Sequence, residues 1–364
     1  MKTEDYYYAE AIKRFINYST NDATAIIAHE NGLLGMTRMI ACMDYLKIPY
    51  EDIYMLALPD FTYTRNSNRW NSGFPYGCII SLPKVDTPFI PIDFRPNCCG
   101  VIFAKISQFT DSPESLREKY SYVLEKYTQV DSSDLNRRNH FLALYKNIQT
   151  NEYYCLLHCS FKFVKRILYS EHNPVLEDIR TFNYLSEDFH YLLGDSAKKY
   201  YETYIELEQK TLFLRKMIIE SLFDHATIIF NKTHEGFLGI DKLLLGAYAD
   251  HDIFEYPLML SPETNLYVID VKKSIQIGNK EHLYCGPHGG GYTLASVIDA
   301  TKMKTDDILN REYMLRFPND CLFVTNNVLD MPFNYRSNTM HEWCIARNMA
   351  YVKEELLPLI NFKV

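Results

Sequence analysis

The chain has 364 residues, of which 47% are hydrophobic and 23% are charged, and its formal net charge is −8 at pH 7. This balance is that of a folded globular protein, so it excludes disorder, collagen and coiled coil as the main state. The acidic total is unlike that of a protein that coats nucleic acid, although a basic groove for local action on RNA can lie within an acidic protein.

The predicted elements are long helices and short strands, assigned from the period of the apolar residues and the turn residues that bound them. The helix over 113–128 has Ser112 as its N-cap and Pro113 in its first turn. The segment 161–170 fits either period. In chain order, the prediction comprises helices over 5–18 and 32–47, strands over 77–82 and 88–94, helices over 113–128 and 194–223, strands over 226–231, 265–271 and 282–286, a helix near 339–356 and a strand over 357–364.

Long helices between short strands without strict βαβ alternation indicate an α+β fold. No linker rich in Pro, Gly or Ser divides the chain, so we expect one domain over 1–364, with mixed sheets and surrounding helices. No run of 18 apolar residues occurs, and the first 15 residues lack an apolar segment, so we expect neither a membrane partner nor a secretory signal. Nine cysteines without a CxxC pair are typical of free thiols in a reducing compartment, which favours the cytoplasm.

One histidine precedes a run of three glycines, in Cys285-Gly-Pro-His288-Gly289-Gly290-Gly291. Glycines allow a ligand to approach the backbone closely, and their N–H groups can form a nest for an anion. A histidine beside such a nest could attack phosphorus or donate a proton. The alternative interpretation is a flexible turn with an incidental histidine.

Four further residues are candidate metal ligands because of their neighbours. His234 follows a predicted strand, His158 ends an apolar segment, His140 precedes Phe141, and Cys99 is the second of two adjacent cysteines. A thiolate with several neutral imidazoles suits zinc, iron or manganese. Each residue taken alone is more often a structural side chain, and HExxH, Walker A, GxGxxG and GxSxG motifs are all absent from the sequence.

Taken in chain order, these segments resemble the RtcB family of RNA ligases, from about Leu58 to Lys363. The similar blocks are Leu58-Pro59-Asp60, Gly73-Phe74-Pro75-Tyr76-Gly77, Cys99-Gly100-Val101, Asn139-His140-Phe141, Leu157-His158-Cys159-Ser160, Asn231-x-x-His234, His288-Gly289-Gly290-Gly291, Asp330-Met331-Pro332-x-x-Tyr335-Arg336 and the end of the chain at Lys363. The resemblance implies an RtcB-like catalytic domain and an enzyme of RNA repair or tRNA splicing.

The resemblance also implies a site that holds two manganese ions and GTP. Cys99 would bridge the ions, His140 would bind one ion, and His158 and His234 would bind the other. His288 would attack the α-phosphate of GTP and carry GMP to an RNA 3′-phosphate, to which a 5′-hydroxyl end is then joined. In the same scheme Asp60 would support His288, Asn139 would contact the guanylate phosphate, Gly289 and Gly290 would line the nucleotide site, and Lys363 would contact guanine.

The sequence departs from the family at several of these positions. Pro96 stands where the family has a metal-binding Asp three residues before the cysteine. Asp93, or a water molecule, would have to replace that ligand, and Cys98 is an alternative to Cys99. Several glycines and a glutamate of the nucleotide pocket are also replaced.

Two alternative functions therefore stay open. One is a metal-dependent phosphodiesterase or phosphotransferase on the same scaffold, and the other is a non-catalytic protein that binds RNA ends. The sequence does not determine the oligomeric state.

Overall fold

The computed structural model describes residues 2–107, 112–128, 140–169, 173–184, 187–261, 264–278, 281–294, 297, 299–303, 312–331, 333–336, 344 and 350–362. The helices are α1 (Glu4–Lys13), α2 (Ala23–Leu46), α3 (Ser67–Asn71), α4 (Pro113–Thr128), α5 (Lys162–Leu168) and α6 (Asp195–Leu222), with short 3-10 turns at Ile92–Phe94, Pro174–Asp178 and Val328–Asp330. No helix in this described part is long and apolar enough to span a membrane.

The strands are short and numerous. In the first half of the chain they are β1 (Phe15–Asn17), β2 (Tyr54–Thr62), β3 (Tyr76–Ser81), β4 (Phe89–Pro91), β5 (Gly100–Ile106), β6 (Phe141–Lys146), β7 (Tyr153–Cys159), β8 (Arg180–Tyr184) and β9 (Glu187–Leu193). In the second half they are β10 (Thr227–Thr233), β11 (Glu235–Phe237), β12 (Lys242–Leu245), β13 (Ala247–Asp250), β14 (Phe254–Met259), β15 (Leu266–Val271), β16 (Ile275–Ile277), β17 (Glu281–Pro287), β18 (Tyr292–Thr293), β19 (Asp299–Met303), β20 (Glu312–Arg316), β21 (Leu322–Thr325), β22 (Asn334–Tyr335) and β23 (Tyr351–Phe362).

The largest sheet has seven antiparallel strands in the order β10-β5-β7-β6-β23-β15-β14. A five-stranded sheet has the order β1-β2-β3-β12-β11, and β13-β17-β16 form a third sheet. With the helices α2 and α6 beside these sheets, the α+β class is confirmed.

Helix α6 covers the β10 side of the seven-stranded sheet. Its buried residues recur at steps of three and four, from Ala197 through Tyr200, Tyr204 and Leu207 to Leu222, which produces one apolar stripe along 28 residues. The stripe packs across β10, β5 and β7. Arg215 is the fully buried charged residue of this stripe, and its guanidinium donates to the Cys98 carbonyl at 3.2 Å. The helix therefore supports the chain segment that precedes β5.

Helix α2 is longer than predicted, since it begins at Ala23 rather than at residue 32. Gly35 lies on its buried face, where an added Cβ would come within 2.1 Å of the Gly73 carbonyl oxygen. Glycine lowers helix propensity, but here it allows the helix to approach a neighbouring segment closely. This close packing offsets the local cost of a glycine within the helix.

Most other predicted elements are confirmed, including β3, α4, α6, β10, β15 and β17. The ambiguous segment 161–170 contains the helix α5. Three predictions were wrong in part. The helix expected over 5–18 ends at Lys13 and is followed by β1, and the strand expected over 88–94 ends at Pro91 and is followed by a 3-10 turn. The helix expected near 339–356 lies mostly outside the described residues, and from Tyr351 onward the chain forms β23 instead.

Candidate metal centre

Four adjacent strands of the seven-stranded sheet bring the candidate ligands to one edge. Cys99 immediately precedes β5, His140 precedes β6, His158 lies near the end of β7, and His234 follows β10. The register pairs His158 with both Val101 and Phe141. Because neighbouring strands are antiparallel, the starts of β5 and β6 and the ends of β7 and β10 meet at the same edge. Residues far apart in the chain thus converge.

The first group at this edge consists of Cys99, His140 and His158, all of which are buried. The Sγ atom of Cys99 lies 3.4 Å from Nε2 of His140 and 3.2 Å from Nε2 of His158. The two imidazole rings are nearly perpendicular, with centroids 5.2 Å apart. Three donor atoms of the types that bind transition metals therefore face one another in a space from which water is largely removed.

A second group shares the same cysteine and adds His234 and Glu235. The Glu235 carboxylate accepts hydrogen bonds from the Arg69 guanidinium at 2.6 Å and from the Tyr76 hydroxyl at 2.5 Å. Backbone hydrogen bonds hold this segment against Cys99, whose carbonyl accepts from the His234 N–H at 2.9 Å and from the Glu235 N–H at 3.3 Å. The position of the carboxylate is thus fixed by both its side chain and its main chain.

The electrostatics of the centre follow from burial. Burial, together with the charge of Glu235, raises the pKa of the Cys99 thiol well above its usual range. Burial and the adjacent imidazoles of His288 and His158 lower the pKa of His234 well below its usual range. Burial is the largest single influence on Glu235 and opposes its ionisation, but the charge and hydrogen bond of Arg69 and the hydrogen bond of Tyr76 together outweigh it, so the pKa of that carboxyl is lowered. The histidine is therefore neutral, as a metal ligand must be.

The surroundings of the His234 ring indicate whether a metal ion fits at this centre. Its Nε2 atom is buried and has no hydrogen-bond partner among the described residues, whereas its Nδ1 atom lies 3.3 Å from the Tyr248 hydroxyl. A buried polar atom without a partner costs about 1–3 kcal/mol. A metal ion at Nε2 would remove this cost, and the contact with Tyr248 would orient the ring. The donor set of one thiol, three imidazoles and one carboxylate fits a transition-metal centre.

His288 lies beside this centre, with its ring centroid 4.8 Å from that of His234. It follows β17 directly, and Asp60 reaches it from β2. The Asp60 Oδ2 atom lies 2.6 Å from Nδ1 of His288 and accepts from the His288 backbone N–H at 3.2 Å. Asp60 is fully buried, so this pair is shielded from water. The arrangement places the proton on Nδ1 and leaves the lone pair on Nε2.

The glycine run after His288 packs against protein backbone. Gly291 has a φ of +66°, and an added Cβ would lie 2.4 Å from the Asp60 carbonyl oxygen. An added Cβ would meet carbonyl oxygens at 3.2 Å at Gly289 and at 3.1 Å at Gly290. Arg336 secures the loop, because its N–H donates to the Gly291 carbonyl at 3.2 Å. The glycines thus allow close packing that fixes the position of His288.

The structure places six of the candidate residues close together, namely Cys99, His140, His158, His234, His288 and Asp60, and their roles stay predictions. Both of the groups that could hold a metal contain Cys99, and neither contains Cys98. Asn139 and Lys363 lie outside the described residues. Gly289 and Gly290 follow His288, and their role toward a nucleotide stays a prediction.

Asp93 is a correction to the prediction. It belongs to neither group that could hold a metal among the described residues. The 3-10 turn Ile92–Phe94 directs its carboxylate to His190, whose Nδ1 atom lies 3.1 Å away and whose backbone N–H donates at 2.9 Å. The carboxylate that belongs to such a group is Glu235, which was not among the predicted ligands. Its position directly after the candidate ligand His234 was the available signal.

No protein-family model matches the chain, and no curated protein matches it at a significant level of similarity. The functional assignment therefore rests on the residues and their geometry.

Proposed function

We propose that the chain is an RtcB-like RNA ligase, which joins an RNA 3′-phosphate or 2′,3′-cyclic phosphate end to a 5′-hydroxyl end with GTP and Mn²⁺. The observation that carries this proposal is the histidine His288, held by Asp60 through Nδ1 and adjacent to a buried thiol–imidazole–carboxylate centre. The order of these residues along the chain, which resembles the RtcB order, supports the same function.

We propose manganese because the RtcB resemblance implies it; the Glu235 carboxylate is a ligand of the type that suits Mn²⁺, and the single thiol of Cys99 lies where it can be shared. When bound, the metal ions would neutralise phosphate charge and help to align the reacting groups. The surrounding side chains provide a dry environment in which such charge interactions are strong, because Cys99, His140, His158 and His234 are all buried.

His288 performs the first covalent step of the proposed reaction. Its Nε2 lone pair forms a bond to the α-phosphorus of GTP, the bond to the bridging oxygen breaks, and pyrophosphate leaves. The Nδ1 proton stays hydrogen-bonded to Asp60, whose negative charge stabilises the positive charge that develops on the ring. In this arrangement a buried carboxylate orients the imidazole and selects its tautomer.

Two further steps complete the reaction. An oxygen of the RNA 3′-phosphate attacks the phosphorus on His288, which regains its neutral form as GMP moves to the RNA end. The 5′-hydroxyl oxygen then attacks the RNA 3′-phosphorus, GMP leaves, and the hydroxyl proton is released. A cyclic phosphate must first be opened by water to give the 3′-phosphate. The expected contacts of Asn139 with phosphate and of Lys363 with guanine are part of this proposal.

The direct test is a joining assay with an RNA that carries a 3′-phosphate and a second RNA that carries a 5′-hydroxyl. With Mn²⁺ and GTP, the wild-type protein is expected to give the joined product, and His288→Ala is expected to give none. Asp93→Asn is the matched control, because this carboxylate also pairs with a histidine but lies outside the centre, and it should join normally.

Two outcomes would contradict the ligase proposal. Metal-dependent opening of a cyclic phosphate without joining would indicate a phosphodiesterase. Binding of RNA ends that survives His288→Ala, without turnover, would indicate a binding protein.

A further inference from the structure

The RtcB resemblance places the carboxylate ligand of the centre three residues before the cysteine, whereas the carboxylate in this structure is that of Glu235. Pro96 stands where the resemblance leads one to expect an aspartate, and the nearest alternative, Asp93, is engaged with His190. Glu235 is buried and lies with Cys99 and His234 so that their ligand atoms are within 4.8 Å of one another. A buried carboxylate in such a position needs a physical reason.

We propose that Glu235 is a metal ligand that replaces the missing aspartate, and that the centre divides into two ion sites which share Cys99. One site would use His140 and His158, and the other would use His234 and Glu235. This division differs from the one that the resemblance implies, in which His158 and His234 bind the same ion. The inference deepens the proposed function and rests on it for the identity of the metal.

The distances and groupings support this division. The Cys99 Sγ atom is within 3.4 Å of Nε2 in both His140 and His158, so these three atoms already surround one position. The unpartnered Nε2 atom of His234 is nine-tenths or more buried and belongs to the second group, with Glu235. A thiolate sulfur can serve both positions because it has more than one lone pair.

The contacts of Glu235 leave it able to bind a cation. Arg69 and Tyr76 each donate one hydrogen bond, one to each carboxylate oxygen. A carboxylate has about four acceptor sites, so about two stay available. Donors of this kind commonly orient a metal-binding carboxylate from behind. Arg69 is itself fixed by donating to the Phe94 carbonyl at 2.7 Å and to the Arg95 carbonyl at 2.6 Å.

The main chain positions Glu235 independently of these side chains. Its carbonyl accepts from the Cys98 N–H at 3.1 Å and from the Asn97 N–H at 3.4 Å, while its own N–H donates to Cys99. The next residue, Gly236, packs so closely that an added Cβ would lie 1.7 Å from the Tyr204 hydroxyl oxygen. The loop that carries Cys99 and the loop that carries Glu235 are therefore locked together.

The experiment measures manganese bound per chain after dialysis against Mn²⁺, without nucleotide or RNA. The wild-type protein is expected to hold two ions and Glu235→Gln one ion, since glutamine keeps the volume but loses the charge. Asp93→Asn is the matched control and should hold two. Failure of RNA joining would not affect this result, so the two proposals fail separately.

A second readout uses Co²⁺, whose thiolate charge-transfer absorption reports binding at Cys99. The band should persist in Glu235→Gln, which keeps the site of His140 and His158, and should disappear in Cys99→Ser. A wild-type protein that holds a single ion, or a Glu235→Gln variant that holds as many ions as the wild type, would overturn the inference.

Loss of the carboxylate charge leaves Arg69 buried without its counter-charge, which can destabilise the fold. A measurement on the wild type avoids this problem. In crystals grown with Mn²⁺, anomalous scattering should show two peaks beside Cys99, one of them about 2–2.5 Å from a Glu235 oxygen. Two peaks without Glu235 as a ligand would overturn the inference.

Discussion

Replacing Asp60 by Asn should slow the attack of His288 on GTP without unfolding the protein. The carboxylate lies 2.6 Å from His288 Nδ1, and both groups are shielded from water. A hydrogen bond to a charged group contributes about 1.5–3 kcal/mol. Losing an interaction of this size in the transition state corresponds to a decrease of about 10- to 150-fold in rate. Asparagine retains the volume and one acceptor oxygen, so the packing around His288 should stay intact.

The assay is single-turnover labelling of the protein by GTP that carries a radioactive α-phosphate, in the presence of Mn²⁺. Asp93→Asn provides the control, because it removes the charge from the other Asp–His pair described above. That variant should label at the wild-type rate. If Asp60→Asn labelled as fast as Asp93→Asn, the role assigned to Asp60 in orienting and charging the nucleophile would be wrong.

Three other predictions concern the residues that hold the centre in place. Burial opposes ionisation of Asp22, but the hydrogen bonding and charge of Arg336 lower the pKa of this carboxyl. The ionised carboxylate therefore stabilises the fold fully above the unfolded pKa of about 3.9, and this stabilisation is lost as the pH falls below that value. Thermal unfolding at a series of pH values should show that Asp22→Asn loses less stability in acid than the wild type does. Gly291 has a positive φ, and the Cβ of an alanine there would lie 2.4 Å from a carbonyl oxygen, so Gly291→Ala should lower the unfolding free energy by more than about 1–2 kcal/mol in urea titration. Gly289→Ala should lower it less, because the closest neighbour of its new Cβ is at 3.2 Å. Equal effects of the two variants would contradict the close-packing role of Gly291. Arg215→Met removes hydrogen bonds to three acceptors and should lower the unfolding free energy by about 1–3 kcal/mol in the same titration, and an unchanged value would show that these bonds do not support the segment before β5.

Local patterns predicted only one of the four strands that carry the centre, β10, and noted an apolar segment that ends at His158. The strands β5 and β6, which follow Cys99 and His140, were not predicted, and local patterns do not show which strands are adjacent. The candidate ligands were grouped only by the resemblance of their order to that of the RtcB family. The antiparallel order of the sheet then explains physically why the ends of β7 and β10 meet the start of β5.

Glu235 was missed because His234 was considered as a candidate ligand without the carboxylate that follows it. Local sequence does not show that both side chains serve one centre, since successive side chains of a continuous strand point to opposite faces. In the structure β10 ends at Thr233 and β11 begins at Glu235, and this break allows both side chains to reach Cys99. Asp93 was named, as an alternative to a water molecule, although it lies six residues before Cys99 rather than three, and the turn that contains it directs the carboxylate to His190.

The end of the chain shows how helix propensity misled the prediction. The segment that begins at Tyr351 contains Lys353, Glu354 and Glu355, which are good helix formers. Its exposed positions nevertheless alternate with less exposed ones from Tyr351 to Leu359, which is the period of a strand. Pairing with β6 and β15 on either side decided the outcome, and such long-range pairing is not visible in the local composition.

The most direct test of the account is to locate the covalent adduct. The wild-type protein would be incubated with Mn²⁺ and GTP, digested under conditions that preserve a phosphorus–nitrogen bond, and examined by peptide mass spectrometry. The account predicts one guanylate attached to His288, absent when Mn²⁺ is omitted or when His288 is replaced by Ala. A guanylate on another residue, or none on a protein that retains its metal ions, would contradict it.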